Sequence, residues 1–320
     1  MKRLVYPLIC VLLAASCGSR DTYIRFSGYA QGGVYSVKYN SNGVKETPEN
    51  VKSAVDSILL VIDNTLSGYN KSSVLSLYNA GENPETTPMF EDIRQKARAY
   101  KEETGGALDC GAGPLFDIWG FGFEGDSFPD EDAIAGAKAA CAEEKKLNFN
   151  AIAQGYSCDL VAAYLHSIGV SDMLVDIGEI YCEGVNAAGQ PWTIGVDSPE
   201  DGNNNPGRTL QGILSAPTGG CGIVTSGNYR KFYIRDGRKY AHTIDPRSGR
   251  PVEHNLLSAT IIAATATDAD AYATYCMVIG LEDAKEFILS RPDLEGYLIY
   301  DNGGMLEWHS PGFNVSQSGE

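Results

Sequence analysis

The chain has 320 residues, 43% of them apolar, and a formal net charge of −16. That length suits one large domain or two small ones with a substantial core. The acidic balance excludes a nucleic-acid binder, which meets phosphates with a basic face, whereas a phosphate-bearing ligand still fits if a metal cation or helix N-termini supply a positive field.

The chain opens with MKRLVYPLICVLLAASC. Lys2 and Arg3 precede an apolar run from Leu4 to Leu13, and small residues lead to Cys17. This pattern reads as a secretory signal, and the run falls short of the ~20 residues of a membrane span. Small residues directly before a cysteine resemble a bacterial lipobox, although Leu13 sits one place early. The expectation is a signal over 1–16 and a tether over 17–23 lipidated at Cys17. The protein would then be anchored in the bacterial cell envelope, facing the periplasm. An ordinary cleaved signal with a coincidental cysteine is the alternative. Six cysteines follow: Cys110, Cys141, Cys158, Cys182, Cys221 and Cys276. None has CxxC or Cys/His metal spacing. Their apolar contexts suggest buried thiols, and no pairing follows from the sequence.

The segment YIRFSGYAQGGVYSVKYN alternates as strands do, around Gly32 and Gly33. In ENVKSAVDSILLVIDNTLSGY, Val51, Val55, Ile58, Leu59 and Ile62 recur at helical spacing. DIRQKARAYKEETGG predicts a second helix, ended by Gly105 and Gly106. The Gly-rich ALDCGAGPLFDIWGFGF reads as a pocket loop. CDLVAAYLHSIGV reads as a helix closed by Gly169. DMLVDIGEIYCEG, PWTIGVDS and LQGILSA read as successive strands, with a surface loop over 201–208 between the last two. KFYIRDGRKYAHTIDP predicts a hairpin around Asp236 and Gly237. LLSATIIAA predicts a strand, residues 268–279 a helix and LEDAKEFILSR another. GYLIYDNGGMLEWH predicts a final hairpin. Strands and helices interleave without a βαβ rhythm, which makes the class α+β.

The stretch TDADAYAT, residues 267–274, stands out at the edge of a core segment. On a helix, Asp270 and Thr274 lie one turn apart on one face. Asp268 sits in the first turn, where a carboxylate suits the helix dipole. The alanines between them allow close backbone approach. A carboxylate and a hydroxyl on one face make a hard-oxygen site of the kind Mg²⁺ or Ca²⁺ accepts, with water, carbonyls or phosphate completing the shell. Capping by Thr267 and Asp268 together with a buried threonine is the alternative.

Six other segments run in order with TDADAYAT: LSGYNKSSVLSLYN, GGALDCGAGPLFDIWGFG, LNFNAIAQGYSCDLVAAYL, VDIGEI, VTSGNYRKFY and HTIDPRSGRPV. The series resembles the ApbE family of FAD:protein FMN transferases over about residues 24–300. The resemblance implies one large α+β, T-fold-related domain over 24–312, with a tail over 313–320. It implies Mg²⁺ and FAD, transfer of FMN to a threonine or serine hydroxyl of an exported acceptor protein, and release of AMP. It implies that Asp270, Thr274 and the Ala151 carbonyl hold the metal. For the nucleotide it implies contacts at Gln31, Tyr69, Ala107, Leu108, Asp109, Asn148, Gln154 and Thr243. It makes His242 a proton donor or acceptor, or else only a satisfied polar residue. Bland readings stand beside two of the contacts: Tyr69 as a core tyrosine and Asp109 as a turn residue. The sequence departs from the family pattern at several places. QGG (Gln31 to Gly33) replaces MGT, Asn148 and Gln154 replace an aspartate and a lysine, Gly111 replaces a threonine, and VDIGEI has one glycine fewer than VDIGGEI. The paired neutral change keeps the local charge balanced, and Asn and Gln still hydrogen-bond.

Two rival readings share the site. A metal-dependent FAD pyrophosphatase would give FMN and AMP with water as acceptor, and would leave no flavin covalently attached to protein. A non-catalytic FAD-binding lipoprotein would bind FAD tightly without releasing AMP in Mg²⁺.

Overall fold

A computed structural model describes residues 22–122, 128–200, 203, 207–229, 232–235 and 237–317. The signal, Cys17, most of the tether, Asp236, most of the 201–208 loop and residues 318–320 lie outside the described residues.

In chain order, β1 (Tyr23–Ala30) and β2 (Gly33–Asn40) form the opening hairpin, turned by Gln31 and Gly32 at φ 52° and 81°. Three helices follow: α1 (Pro48–Leu66), α2 (Val74–Asn79) and α3 (Pro88–Glu103). Each is started by a hydroxyl cap, Thr47, Ser73 and Thr87 in turn, accepting a backbone N–H three residues on. Next come α4 (Gly113–Ile118), α5 (Glu131–Cys141) and α6 (Ala153–Ser167). The strands β3 (Met173–Asp176), β4 (Ile180–Glu183), β5 (Thr193–Asp197), β6 (Leu210–Ser215) and β7 (Cys221–Gly227) come after them. A hairpin of β8 (Phe232–Arg235) and β9 (Arg238–Ala241) precedes the short pair β10 (Ile244–Asp245) and β11 (Arg250–Pro251). The rest is β12 (Leu256–Ala263), α7 (Ala266–Ile279), α8 (Leu281–Ser290), β13 (Glu295–Asp301), β14 (Met305–His309) and β15 (Val315–Gln317).

Eight strands make one antiparallel sheet in the order β1-β2-β3-β4-β7-β12-β13-β14. Its two faces bury different cores. On one face, α1, α3, α6, α7 and α8 pack over Val37, Tyr39, Val175, Val224 and Ile261. On the other, Leu174, Cys182, Ile223, Ile262 and Tyr297 meet Trp192, Leu214 and Phe313 from the small β15-β6-β5 sheet and its flanks. Consecutive residues of β7 (Ile223, Val224) and β12 (Ile261, Ile262) therefore point into opposite cores. That is why LLSATIIA reads as a continuous apolar run. Fully burying each such side chain contributes roughly 1.5–3 kcal/mol. A third, smaller cluster joins α4 and α5 to Ile244 through Trp119 and Tyr240.

The α+β class holds, and the expected strands β5 and β6 form a layer separate from the main sheet. Three differences from the sequence reading stand out. Residues 313–317, read as the start of a tail, belong to that layer: Phe313 is buried and β15 pairs with β6. The Gly-rich segment after Asp109 folds into the short helix α4. Helices α2 and α5 were not expected; α2 spans only six residues, and α5 is alanine-rich with few large apolar side chains. All six cysteines after Cys17 are buried free thiols.

Two glycines set how closely α7 approaches its neighbours. A Cβ on Gly222 of β7 would lie 2.3 Å from Ala266 Cα, and one on Gly155 of α6 would lie 2.2 Å from the Ala266 carbonyl oxygen. Neither site tolerates a side chain unless α7 moves. Gly222→Ala and Gly155→Ala are each expected to destabilise the protein by about 1–3 kcal/mol in urea unfolding. Gly219→Ala, in open space, is expected to stay within about 0.5 kcal/mol.

Candidate active site

Helix α7 starts three residues after the doubly buried β12. Its N-cap is Thr265, whose hydroxyl accepts the Asp268 N–H at 3.0 Å and donates to the Asp268 carboxylate at 2.7 Å. The other Asp268 oxygen accepts the Tyr100 hydroxyl at 2.6 Å. Asp268 therefore holds the helix start against α3, and the cap is Thr265 rather than Thr267 with Asp268.

One turn on, Asp270 and Thr274 open together into a cleft of about 1090 Å³, which Ala151 also lines. Asp270 is 4% exposed, and one of its oxygens accepts the Gly155 N–H at 3.0 Å. Burial pushes its carboxyl pKa well above the usual range; the Gly155 N–H opposes this and the negative charge of Asp159 adds to it. Thr274 Oγ1 lies 3.4 Å from Ser226 Oγ on β7. The Gly155 N–H is one of the orphan donors of the first turn of α6, and Asp270 takes it; Ala151, two residues before α6, lines the same cleft. Among the described residues no group of three His, Cys, Asp or Glu has metal-holding geometry. One carboxylate, one hydroxyl and one carbonyl suit a hard, partly hydrated cation such as Mg²⁺. They do not suit a zinc-like cage. The buried, singly bonded carboxylate is the kind of group such a cation compensates.

The other expected residues spread along the same cleft: Gln31, Tyr69, Ala107, Leu108, Asp109, Asn148, Gln154, His242 and Thr243 all line it. Tyr69 is 67% exposed, so it is not a core tyrosine. Asp109 is held by Lys101 at 2.9 Å and accepts the Gly111 N–H at 2.7 Å, so it does organise the turn. His242 follows β9 rather than lying on it, and its ring meets Phe121 edge-on at 6.4 Å. Asn148 and Gln154 do not pair. Asn148 Oδ1 accepts the Asn150 N–H at 3.0 Å, and Gln154 Nε2 donates to the Ile177 carbonyl at 3.1 Å. Gln31 donates to the Ser157 hydroxyl.

Several lining residues had no assigned role in the sequence reading: Ser226, Glu179, Tyr35 and Asp56. Tyr35 donates to Asp56, which pairs with Lys52 at 2.6 Å. Only the i,i+4 spacing of Lys52 and Asp56 on α1 hinted at this pair. Ser226 lies in the VTSGNY motif, but nothing local aims it at Thr274.

The sequence profile of the ApbE family matches residues 31–298. A curated relative from Escherichia coli (strain K12), described as FAD:protein FMN transferase, is 33% identical over 82% of this chain and 80% of its own length. One from Haemophilus influenzae with the same description is 30% identical over 95% of each chain. Among solved structures, the flavinyl transferase ApbE of Pseudomonas stutzeri superposes with a TM-score of 0.78 at 31% identity, covering 90% of this chain and 95% of the other. The flavin transferase ApbE of Vibrio cholerae gives 0.77 at 29% identity, covering 90% and 97%. The profile match spans most of the chain, and the chain belongs to the ApbE family.

Proposed function

We propose that the enzyme transfers the FMN half of FAD to a hydroxyl of an acceptor protein, releasing AMP, with a divalent cation at Asp270, Thr274 and the Ala151 carbonyl. One observation carries the reading: Asp270, Thr274 and Ala151 all line one cleft of about 1090 Å³, large enough for a dinucleotide. The FAD:protein FMN transferase activity agrees with the descriptions of the relatives. Dependence on Mg²⁺, a threonine or serine acceptor and lipid anchoring through Cys17 are our own extension.

When bound, Mg²⁺ supplies positive charge against the diphosphate. The chain's residues do the rest. Asp270 and Thr274 fix where that charge sits. The acceptor hydroxyl attacks the phosphorus on the FMN side, a phosphoester forms, and the bond to AMP breaks. His242, on the cleft wall, is our candidate to take the hydroxyl proton. Positioning and charge stabilisation account for most of the rate in such transfers. Phe116, Phe121 and Ile244 give the cleft an apolar wall, which strengthens these electrostatic contacts.

Incubation with FAD, Mg²⁺ and a candidate exported acceptor, followed by mass spectrometry, is expected to show the acceptor gaining FMN. AMP and free FMN without a labelled acceptor would instead favour the pyrophosphatase. Asp270→Ala is expected to lower transfer by at least about 10²-fold, with circular dichroism unchanged. Wild-type rates in that variant would overturn the metal site.

The raised Asp270 carboxyl also fixes a pH dependence. Without metal, the folded protein holds the Asp270 proton more tightly than the unfolded chain does. Its stabilising effect is therefore full below the ordinary carboxylate range and is lost as pH rises through the folded value of about 7. A divalent cation needs the ionised form. The rise in Tm caused by Mg²⁺ is accordingly expected to be small at pH 5 and to grow through pH 8. Equal shifts at both ends would contradict the assignment. Cys17→Ser is expected to move the protein from the membrane fraction to the soluble fraction after export; unchanged fractionation would exclude lipidation at Cys17.

A further inference from the structure

Helices α6 and α7 meet N-terminus to N-terminus, and their hydrogen bonds are exchanged. Gly155 of α6 gives its N–H to Asp270 of α7 at 3.0 Å. Ala266 of α7 gives its N–H to Asp159 of α6 at 2.8 Å. In each case the accepting aspartate lies one turn beyond the donor on the opposite helix. Asp159 takes two further donors from α7, the Thr267 N–H at 2.9 Å and the Thr267 hydroxyl. Neither first turn would otherwise satisfy these N–H groups. The crossing is tight because Gly155 carries no Cβ against the Ala266 carbonyl.

We infer that Asp159 is a positioning residue that sets the affinity of the metal site. It does not line the cleft and so does not touch substrate. It fixes the height and rotation of α7 relative to α6, and those two helices carry, or directly follow, the three donors. Ala151 lies two residues before α6, and Asp270 and Thr274 lie on α7. Sliding α7 along α6 would separate the carbonyl from the carboxylate and hydroxyl. The half-buried Asp159 carboxylate also neutralises the positive end of α7, a role a neutral side chain fills less well. Asn at this position keeps one acceptor for the Ala266 N–H and turns its amide toward the Thr267 N–H. Ala keeps neither contact.

The inference rests on the metal reading above, and the experiment separates the two. Mn²⁺ alone is titrated into the purified full-length protein and followed by electron paramagnetic resonance. Relative to wild type, Asp159→Asn is expected to bind Mn²⁺ about threefold more weakly and Asp159→Ala at least about tenfold more weakly. At saturating Mg²⁺, kcat recovers in both, with the KM for FAD within about twofold of wild type. Ser310→Ala removes a buried hydroxyl that does not line the cleft; Ser310 Oγ accepts the Gly296 N–H at 2.9 Å. It should lower Tm and leave Mn²⁺ affinity unchanged, which separates positioning from general destabilisation. A folded Asp159→Asn or Asp159→Ala protein with wild-type Mn²⁺ affinity overturns the inference. If Asp159→Ala does not fold, Asp159→Asn carries the test. Asp270→Ala should lose Mn²⁺ binding; if it retains wild-type affinity, the metal reading itself fails.

Discussion

The site depends on one close contact, the approach of α7 to α6 and β7 at Ala266. Two glycines and one alanine make it possible. Gly155 and Gly222 present bare backbone to either side of Ala266. At that distance an unmatched N–H or carboxylate would be costly, because buried polar groups need partners. The helices solve this by exchanging partners, and the exchange has a chemical by-product. Gly155 gives its N–H to Asp270, which ties the buried carboxylate to the first turn of α6, just after Ala151 in the chain. Packing and ligand geometry are thus set by the same few atoms.

This arrangement explains how a chain of net charge −16 suits an anionic dinucleotide. Charge matters locally. Around the cleft, Asp109 is held by Lys101 and Asp56 by Lys52. Asp268 is turned away onto Tyr100, and Asp159 onto the start of α7. Each of these carboxylates already has a positive or hydrogen-donating neighbour. Asp270, buried and holding only one N–H, differs from them. Burial, with the nearby negative charge of Asp159, raises its pKa. The proposed divalent cation would supply a counter-charge and leave an excess to face phosphate.

The sequence carried more of the chemistry than of the architecture. Asp270 and Thr274 were readable because helix periodicity fixes their relation within one turn, whatever surrounds them. Buried strands such as β12 were readable because both of their faces are apolar. The separate layer of β5, β6 and β15 was not, since sheet partners are set by contacts across the chain. Asp159 was invisible for the same reason. Its partners, Ala266 and Thr267, lie more than a hundred positions away, and a lone aspartate in CDLVAAYL looks like a solvated helix residue. The short helices α2 and α4 span less than two turns and leave too little periodicity to read. The cap of α7 was misplaced by two residues because Thr265 and Thr267 are equally good caps by type. The Asp268 carboxylate, paired with the Thr265 hydroxyl, decides between them.

The substitutions that set this chain apart can be weighed in the same terms. Asn148 and Gln154 stand where the family pattern has an aspartate and a lysine. Had they replaced an ion pair across the cleft, the two amides would be expected to meet, yet each bonds to nearby backbone. Gln154 crosses to the carbonyl of Ile177, beside Gly178, whose missing Cβ makes room for the amide. That contact ties the start of α6 to the loop after β3, and the same first turn presents Ala151 and Gly155. Gln154 makes this link without carrying a charge. A lysine there would add positive field at the diphosphate, and in its absence more of that field would fall to the proposed cation. The substitutions thus place greater weight on Asp270, and on the helix crossing that holds it, than on the amides that replaced the charged residues.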